Sequence, residues 1–414
     1  TPHLAELVCT NSFKSEGLAN AHGLLKAEMR DMGSILLAAA DAARVPAGQA
    51  LAVDRDLFAL AMTDRMEGHP GIDVVRGEVT SLPGGPAIIA TGPLTSGPFA
   101  AAIGAALGDE GLAFYDSIAP IVSHESVDLD VAFYASRWDK GGEDDYLNCP
   151  MSRDEYEAFL TALRAADVYP GHDWEDIPYF EGCLPIEVMA SRGDDTLRFG
   201  PMKPVGLRDP RTGRRPWAVV QLRREDRTGQ MWNMVGFQTR LRTAEQRRVF
   251  RMIPGLAAAE FLRTGSIHRN TYLNFPARLT HHGSVPGRAD LIFAGQLTGV
   301  EGYTESAASG ILAGLNLHRV LSGEAATLPP ATTMLGGLMR YLREAEPGRF
   351  QPMNSNFGLL DPLAEHVRDK ATRRDRVVER ARQDFGLWLE SYGLLSAGKA
   401  AMPGARPDGG AGAP

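Results

Sequence analysis

The sequence predicts an α/β fold of the Rossmann-like kind, with a nucleotide-binding domain split along the chain, and three observations predict it. The apolar run "ADLIFA" reads as a buried strand that leads into "GQLTGVEGYTESAASG", a glycine-rich turn opening a helix. Ala307, Ala308, Gly310, Ala313 and Gly314 give that helix a surface of small residues suited to close packing. A stretch of similar kind lies near the start of the chain, and a long region of short strands and turns separates the two. The expected division is therefore a nucleotide-binding domain from 1–107 and 291–330, and an inserted mixed α/β domain from 108–290. A helical C-terminal region follows at 331–396, and 397–414 reads as a disordered tail.

Each element has its own reason. "EGLANAHGLLKAEMRDMGSILLAAADAARV" carries apolar residues at spacings of three and four, which predicts two successive helices. "IDVVRGEVTSL" and "PAIIATGPLTS" read as short strands, the second ending at a Gly-Pro break. "SRDEYEAFLTALRAA" reads as a helix with Ser152 as N-cap and Glu155 completing a capping box. The strand at 291–294 precedes the glycine-rich turn. From Pro330 onward the pattern is helical apart from the loop "GRFQPMNSNFGLL", and "AGKAAMPGARPDGGAGAP" closes the chain. There is no internal repeat.

Composition narrows the function. At 414 residues and 44% apolar, the chain can fill more than one core. No apolar stretch reaches the length of a membrane span, and the opening lacks a signal-peptide pattern. Cys9, Cys149 and Cys183 are too few and too scattered for a disulfide framework or a zinc site, which points to a reducing cytoplasm and to no bound metal. His281 and His282 form a pair without a third ligand at sensible spacing. The net charge of −8 speaks mildly against nucleic acid, yet arginines cluster at 208–227, including Arg208, Arg211, Arg214, Arg215, Arg223 and Arg224. Further arginines follow at 240–251, and a second basic run spans 368–382. Such clusters are either solvated faces or a phosphate-binding surface.

Two cysteines stand in suggestive surroundings. Cys9, in "ELVCTNSFKSE", lies among Thr10, Asn11 and Ser12, which are helix-capping residues or donors that hold a thiolate. Cys183, in "YFEGCLPIEVMASRG", has Glu181 and Glu187 beside it, which raise a thiol pKa or serve as acid and base. Cys149, in "YLNCPMS", reads as structural at a strand end. The glycine-rich turn offers backbone N–H groups at a helix N-terminus, a place for an anion. Glu301 and Glu305 in the same turn would repel a bare phosphate unless they face elsewhere.

Together these stretches resemble one family, the folate- and FAD-dependent tRNA (uracil-5-)-methyltransferases related to GidA-type tRNA-modifying flavoproteins. The resemblance rests on "LAELVCTNSF", "YLNCPM", "FEGCLPIE", "LRFGPMKPVGL", "GQMWNMVGFQTRL", "SIHRNTYLNFP", "FAGQLTGVEGYTESAASGILAG" and "QPMNSNFGLL", in order along about 350 residues. That family opens with a strand, a GxGxxG turn and a helix for the FAD pyrophosphate. None of these is present, so the chain is expected to be an N-terminally truncated record that holds FAD weakly by itself.

The resemblance implies that the glycine-rich turn carries the flavin end of FAD, through Gly295, Gln296, Gly299, Val300, Glu301, Gly302, Tyr303, Ser306 and Ala307. It implies C5-methylation of a uridine in the tRNA T-loop. The carbon comes from 5,10-methylenetetrahydrofolate, and NADH or NADPH is the reductant. Uracil C5 is a poor nucleophile until a thiolate adds at C6. The resemblance gives that role to Cys183, places Cys9 near the flavin, and leaves Glu181 or Glu187 to move the C5 proton. The arginines at 208–227 and 240–251 become tRNA contacts, with no membrane and no obligatory protein partner. The readings that compete are a general FAD oxidoreductase on a small molecule, a GidA-type wobble-uridine modification protein, and a non-catalytic RNA-binding relative.

Overall fold

The segment "RADLIF" ends in Leu, Ile and Phe, and it forms the strand Arg288–Phe293 with those three side chains buried. The computed structural model describes residues 2–108, 112–142, 144–169 and 184–394, with backbone alone at 112–116 and 267–269. In it, Arg288–Phe293 is the middle of a three-stranded sheet. It pairs in parallel with Ala87–Ile89, setting Leu291 against Ala87 and Phe293 against Ile89, and antiparallel with Ser284–Val285. A parallel pair needs a crossover connection. Here that crossover contains a whole second lobe.

The first lobe is built by helices whose ends are set by their own residues. Ala21–Asp31 and Ile35–Ala42 are separated by Gly33 at φ +73, and Ser34 caps the second by accepting from the Leu37 N–H. Asp54 does the same for Arg55–Glu67 through the Asp56 and Leu57 N–H groups. A small sheet of Ser12–Ser15, Ala50–Val53 and Arg44–Val45 lies beside them. Leu24, Leu25, Met29, Phe58, Phe293 and Leu312 are buried in one cluster, and Leu338, Phe385 and Trp388 join it. The helices Met334–Glu344 and Lys370–Ser391 thus pack on this core. One polar joint ties them down. The buried Glu28 carboxylate accepts the Met334 and Leu335 N–H groups at 2.7 and 2.9 Å, at the start of the helix Met334–Glu344. Burial pushes this carboxyl up to about 8 despite those two donors.

The segment 72–82 forms no strand, contrary to the reading of "IDVVRGEVTSL". Val75 and Val79 are 89% and 53% exposed, because Asp73, Arg76 and Glu78 interrupt both possible faces and leave neither one apolar. By contrast, "PAIIATGPLTS" yields the strand Ala87–Ile89.

The second lobe is a six-stranded antiparallel sheet. Its order is Phe261–Arg263, Ile121–Ser123, Met231–Met234, Ala218–Arg224, Tyr146–Met151 and Phe133–Tyr134. Ser152 and Glu155 complete the capping box at the head of Arg153–Arg164. Leu147, Phe159, Ile186, Trp232, Phe237 and Phe250 form its core. Cys149 belongs to that core, and burial pushes its thiol up to about 12, which makes it inert. The antiparallel ribbon of Leu112–Ile118 and Ser266–Tyr272 joins the lobes. Tyr272 and Phe275 already pack with the first cluster, whereas the second runs to Ala259. No helix among the described residues is long and apolar enough to cross a membrane.

Candidate functional site

The glycine-rich turn follows the strand Arg288–Phe293 as a short 3-10 turn, Gly295–Thr298, before the long helix Tyr303–Leu321. Gly295, Gly299 and Gly302 have φ of +74, +86 and +111, which other residues adopt only under strain. Two of them are crowded as well. A Cβ on Gly299 would lie 2.5 Å from the Phe350 ring, and one on Gly302 would lie 2.4 Å from Glu305 Oε2. A Cβ on Gly295 would meet only Ser306 Cβ at 3.9 Å, so that side of the turn is open. The Gly295 N–H donates to Ser309 Oγ at 2.8 Å, and Ser306 and Ala307 stand half-buried on the same helix. The segment around Met353 completes the turn, since its N–H donates to the Gly299 carbonyl and its carbonyl accepts the Glu301 N–H. Val300 is fully buried in this pairing, so it can offer a ligand only its backbone.

The two acids of the turn face inward. Gln296 Nε2 donates to Glu301 Oε2 at 2.9 Å. Glu305 Oε1 accepts the Ser355 N–H at 3.0 Å, the Ser355 hydroxyl, and His22 Nδ1 at 3.1 Å. Burial alone would raise this carboxyl, but the His22 bond, the nearby Lys14 charge and Ser355 draw it down to about 2. Lys14 has φ +63, and its Nζ would lie 3.4 Å from a Cβ on Gly302. Glu305 is thus a charge already compensated by groups from residues 14, 22 and 355.

Cys9 comes to this turn from the other end of the chain. Its N–H donates to the Tyr303 hydroxyl at 2.9 Å, and its Sγ lies 3.3 Å from the same oxygen. Burial, and then the adjacent thiol, push the Tyr303 hydroxyl well above its ordinary range, so the phenol keeps its proton. With the oxygen accepting the amide, that proton can be directed at the sulfur. The Cys9 loop is clamped by three arginines. Arg55 donates to the Cys9 carbonyl at 3.1 Å while bonded to Glu225, and Arg263 donates to the Val8 carbonyl at 3.2 Å. Arg223 reaches Thr10 Oγ1 at 2.9 Å and Asn11 Oδ1 at 2.8 Å.

That last contact corrects the reading of Arg223 as a phosphate contact, because its guanidinium is buried under the Cys9 loop and does not meet solvent. Arg224 is half-buried and bonded to Asp144, and Arg211 is bonded to Asp209. Arg208, Arg214 and Arg215 stand exposed in the loop at 208–216, without a carboxylate partner among the described residues. Glu187 is also committed. It accepts the Thr239 hydroxyl at 2.8 Å and the Arg240 N–H at 2.9 Å, while the Ile186 N–H donates to the Gln238 carbonyl at 2.7 Å. Burial pushes the Glu187 carboxyl up. Its place is that of an anchor for the chain immediately after Cys183. Cys183 and Glu181 lie outside the described residues.

Sequence reasoning missed His22, Lys14, Arg55, Arg263 and Ser355. Lys14, His22 and Ser355 lie within quoted stretches, but no spacing rule links any of them to residue 305. The flavin implied by the resemblance fits this cradle on two grounds. Gly295 leaves open backbone beside a helix N-terminus, and Glu305 Oε2 is a buried acceptor with no hydrogen-bond partner, ready for a ligand hydroxyl or ring N–H. Among the described residues, no group of three His, Cys, Asp or Glu is placed to hold a metal ion.

Comparison with known proteins gives a consistent set of matches. The family model "Glucose inhibited division protein A" matches residues 1–325. The methylenetetrahydrofolate–tRNA-(uracil-5-)-methyltransferase TrmFO of Geobacter sulfurreducens is 56% identical over 387 residues, covering 93% of this chain and 89% of that protein. The protein of the same name from Anoxybacillus flavithermus is 52% identical over 390 residues, covering 94% and 90%. Among solved structures, Aquifex aeolicus GidA in its form II crystal superposes with a TM-score of 0.64 at 15% identity, covering 95% of this chain and 69% of that one.

Proposed function

This chain belongs to the glucose inhibited division protein A family and, within it, to the TrmFO methyltransferases; from that premise we propose how its residues serve folate-dependent C5-methylation of a tRNA uridine. The observation that carries the reading is the contact between Cys9 and Tyr303, which sets a thiol at the mouth of the glycine-rich turn. FAD bound on that turn supplies reducing equivalents, and the methylene carbon comes from 5,10-methylenetetrahydrofolate.

The protein's own work is binding, orientation and proton control. Gly295, Gly299 and Gly302 bring backbone close to the cofactor, and Glu305, held by His22 and Ser355, presents its open oxygen to it. Cys183 Sγ adds to uracil C6 and drives the ring electron pair to C5, so that C5 can take the one-carbon unit. As the carbon joins C5 its bond to the folate nitrogen breaks, and the C5 proton passes to Glu181. Two-electron reduction of the carbon, for which FAD would supply the electrons, leaves the methyl group as the C6–S bond breaks and returns the thiolate. Glu187 holds the chain at 184–187 against Thr239 and Arg240. Tyr303 keeps its proton beside Cys9, so any sulfur anion there meets a hydrogen-bond donor. NADH or NADPH would be the electron source for the flavin, and the target base would be turned out of its stack to reach the cleft. The natural setting is the cytoplasm, where tRNA is.

The decisive assay incubates the protein with unmodified tRNA, methylenetetrahydrofolate, FAD and NADPH, and looks for 5-methyluridine by nucleoside analysis. Steady NADPH oxidation on a small molecule, without RNA product, would favour a general oxidoreductase instead.

Arg214 and Arg215 give a separate test. Each neutralised phosphate releases counterions, so tRNA affinity should fall steeply with salt. Replacing both with Ala is expected to flatten the log–log salt slope by up to about two units, for all tRNAs alike. Flavin reduction by NADPH should stay unchanged. Filter binding at several salt concentrations reads the first effect and anaerobic bleaching the second. An unchanged slope would make the two arginines part of a merely solvated surface.

A further inference from the structure

The cleft beside the exposed arginines holds an aromatic ring that the chemistry above does not use. Trp138 is 63% exposed, yet its backbone is at φ +60 and that of Asp139 at φ +54. Two successive non-glycine residues in the left-handed region persist only where the surroundings hold them, and such strain gathers at functional sites.

The surroundings are specific. The Trp138 N–H donates to the Gly206 carbonyl at 3.0 Å. The Arg137 guanidinium, largely desolvated, donates to the Val205 carbonyl at 3.0 Å, to Gln221 Oε1 at 2.8 Å and to the Lys203 carbonyl. Gly206 sits at φ +86, and a Cβ there would lie 2.8 Å from Trp138 Nε1. The pyrrole side of the indole therefore lies against glycine backbone. The loop at 203–206 fixes the ring, which remains exposed.

The ring lines an open cleft of about 520 Å³ together with Arg208 and Arg215. A second cleft of about 540 Å³ is lined by Tyr134, another exposed ring, which is hydrogen-bonded to His124 Nε2 at 2.6 Å. The two clefts share Ala135, Ser136 and Asp139, and each has one aromatic residue in its lining, Trp138 in the first and Tyr134 in the second. Among the described residues, Asp139 is the one carboxylate on the lining of the two clefts, against two guanidinium groups that have no carboxylate partner.

We propose that Trp138 is a stacking platform for one unpaired base of the RNA strand, whose flanking phosphates rest on Arg208 and Arg215. This rests on the tRNA reading above. A fixed aromatic face beside exposed cations without carboxylate partners in an open cleft matches a single strand, since every base has a π-face and each phosphate a charge. A base inside a duplex offers no free face, so the strand must be a loop or a locally opened segment.

Binding of a T-arm RNA by wild type, Trp138→Ala, Trp138→Phe and Arg208→Ala/Arg215→Ala, at several salt concentrations, tests the proposal. Trp138→Ala is expected to weaken binding about tenfold with an unchanged salt slope, because stacking releases no counterions. Trp138→Phe should stay within about threefold of wild type, and the double arginine variant should flatten the slope. Of the five tryptophans, Trp138 should account for the fluorescence quenched by RNA, so Trp138→Phe should lose most of that quenching. Wild-type affinity in Trp138→Ala, with quenching retained in Trp138→Phe, would overturn the platform while leaving the tRNA reading intact. Equal quenching by NADPH or the folate alone would assign the ring to a cofactor instead. A wild type that binds no RNA would remove both readings at once.

Discussion

Cys183→Ala should lower 5-methyluridine formation by at least about a thousandfold, because in the proposed mechanism its thiolate makes the C6 addition that activates the uracil ring. The variant should still bind tRNA with the wild-type salt slope, since a thiol neutralises no phosphate charge. Cys9→Ala should also lose at least about a hundredfold in turnover, with flavin content retained, because removing its sulfur empties the place that faces Tyr303. Cys149 is the internal control. It is buried in the core of the second lobe with its thiol pushed up to about 12, so Cys149→Ala should keep activity within about twofold. Its cost is stability, about 1 kcal/mol for one deleted buried heavy atom. Single-turnover methylation, flavin absorbance and thermal melting separate these outcomes. A loss in Cys149→Ala equal to that in Cys183→Ala would sink the assignment of roles.

Glu305→Ala should produce the largest loss of stability, on the order of 3–5 kcal/mol, because it leaves Lys14, His22 and the Ser355 amide without their shared buried carboxylate. Flavin should be lost with it. The pH dependence has a definite sign. The folded carboxyl titrates at about 2, below the ordinary value of 4.5. Its stabilisation is therefore fully present above about pH 4.5 and is lost as pH falls toward 2. Melting temperatures between pH 7 and 3 should drop less steeply for Glu305→Gln than for wild type, by the share of one proton. Parallel curves would show that this carboxyl does not titrate within the window.

Local signals served the sequence reading well and long-range ones did not. The capping box at Ser152 and the break between the first two helices are written in a few neighbouring residues, and the structure has both. The strand expected at 72–82 does not form, because β-branched residues make a strand only with a face to bury, and the charged residues there leave none. The turn was legible as a glycine cradle, but the direction of Glu301 and Glu305 was not, since it depends on Gln296, His22 and Ser355. Arg223 illustrates the same limit. In a run of seven arginines it looks like its neighbours, and only the alternation of the strand Ala218–Arg224 turns it beneath Cys9. Trp138 carries no sequence signature at all, because a left-handed tryptophan against a distant glycine follows no local rule.

The parallel pairing of Ala87–Ile89 with Arg288–Phe293 has a consequence for how the chain is made. During synthesis the earlier strand leaves the ribosome with its partner still some 200 residues away, which at ordinary elongation rates is about 10–40 s. Throughout that interval the helices Ala21–Asp31 and Arg55–Glu67 must keep Leu24, Leu25, Met29 and Phe58 from water without Phe293 and Leu312 to cover them. The intervening lobe, with its own core around Leu147 and Phe250, can complete itself first. The nascent first segment is therefore the part most in need of a chaperone, and the moment of release is when residues 288–321 emerge and close the sheet.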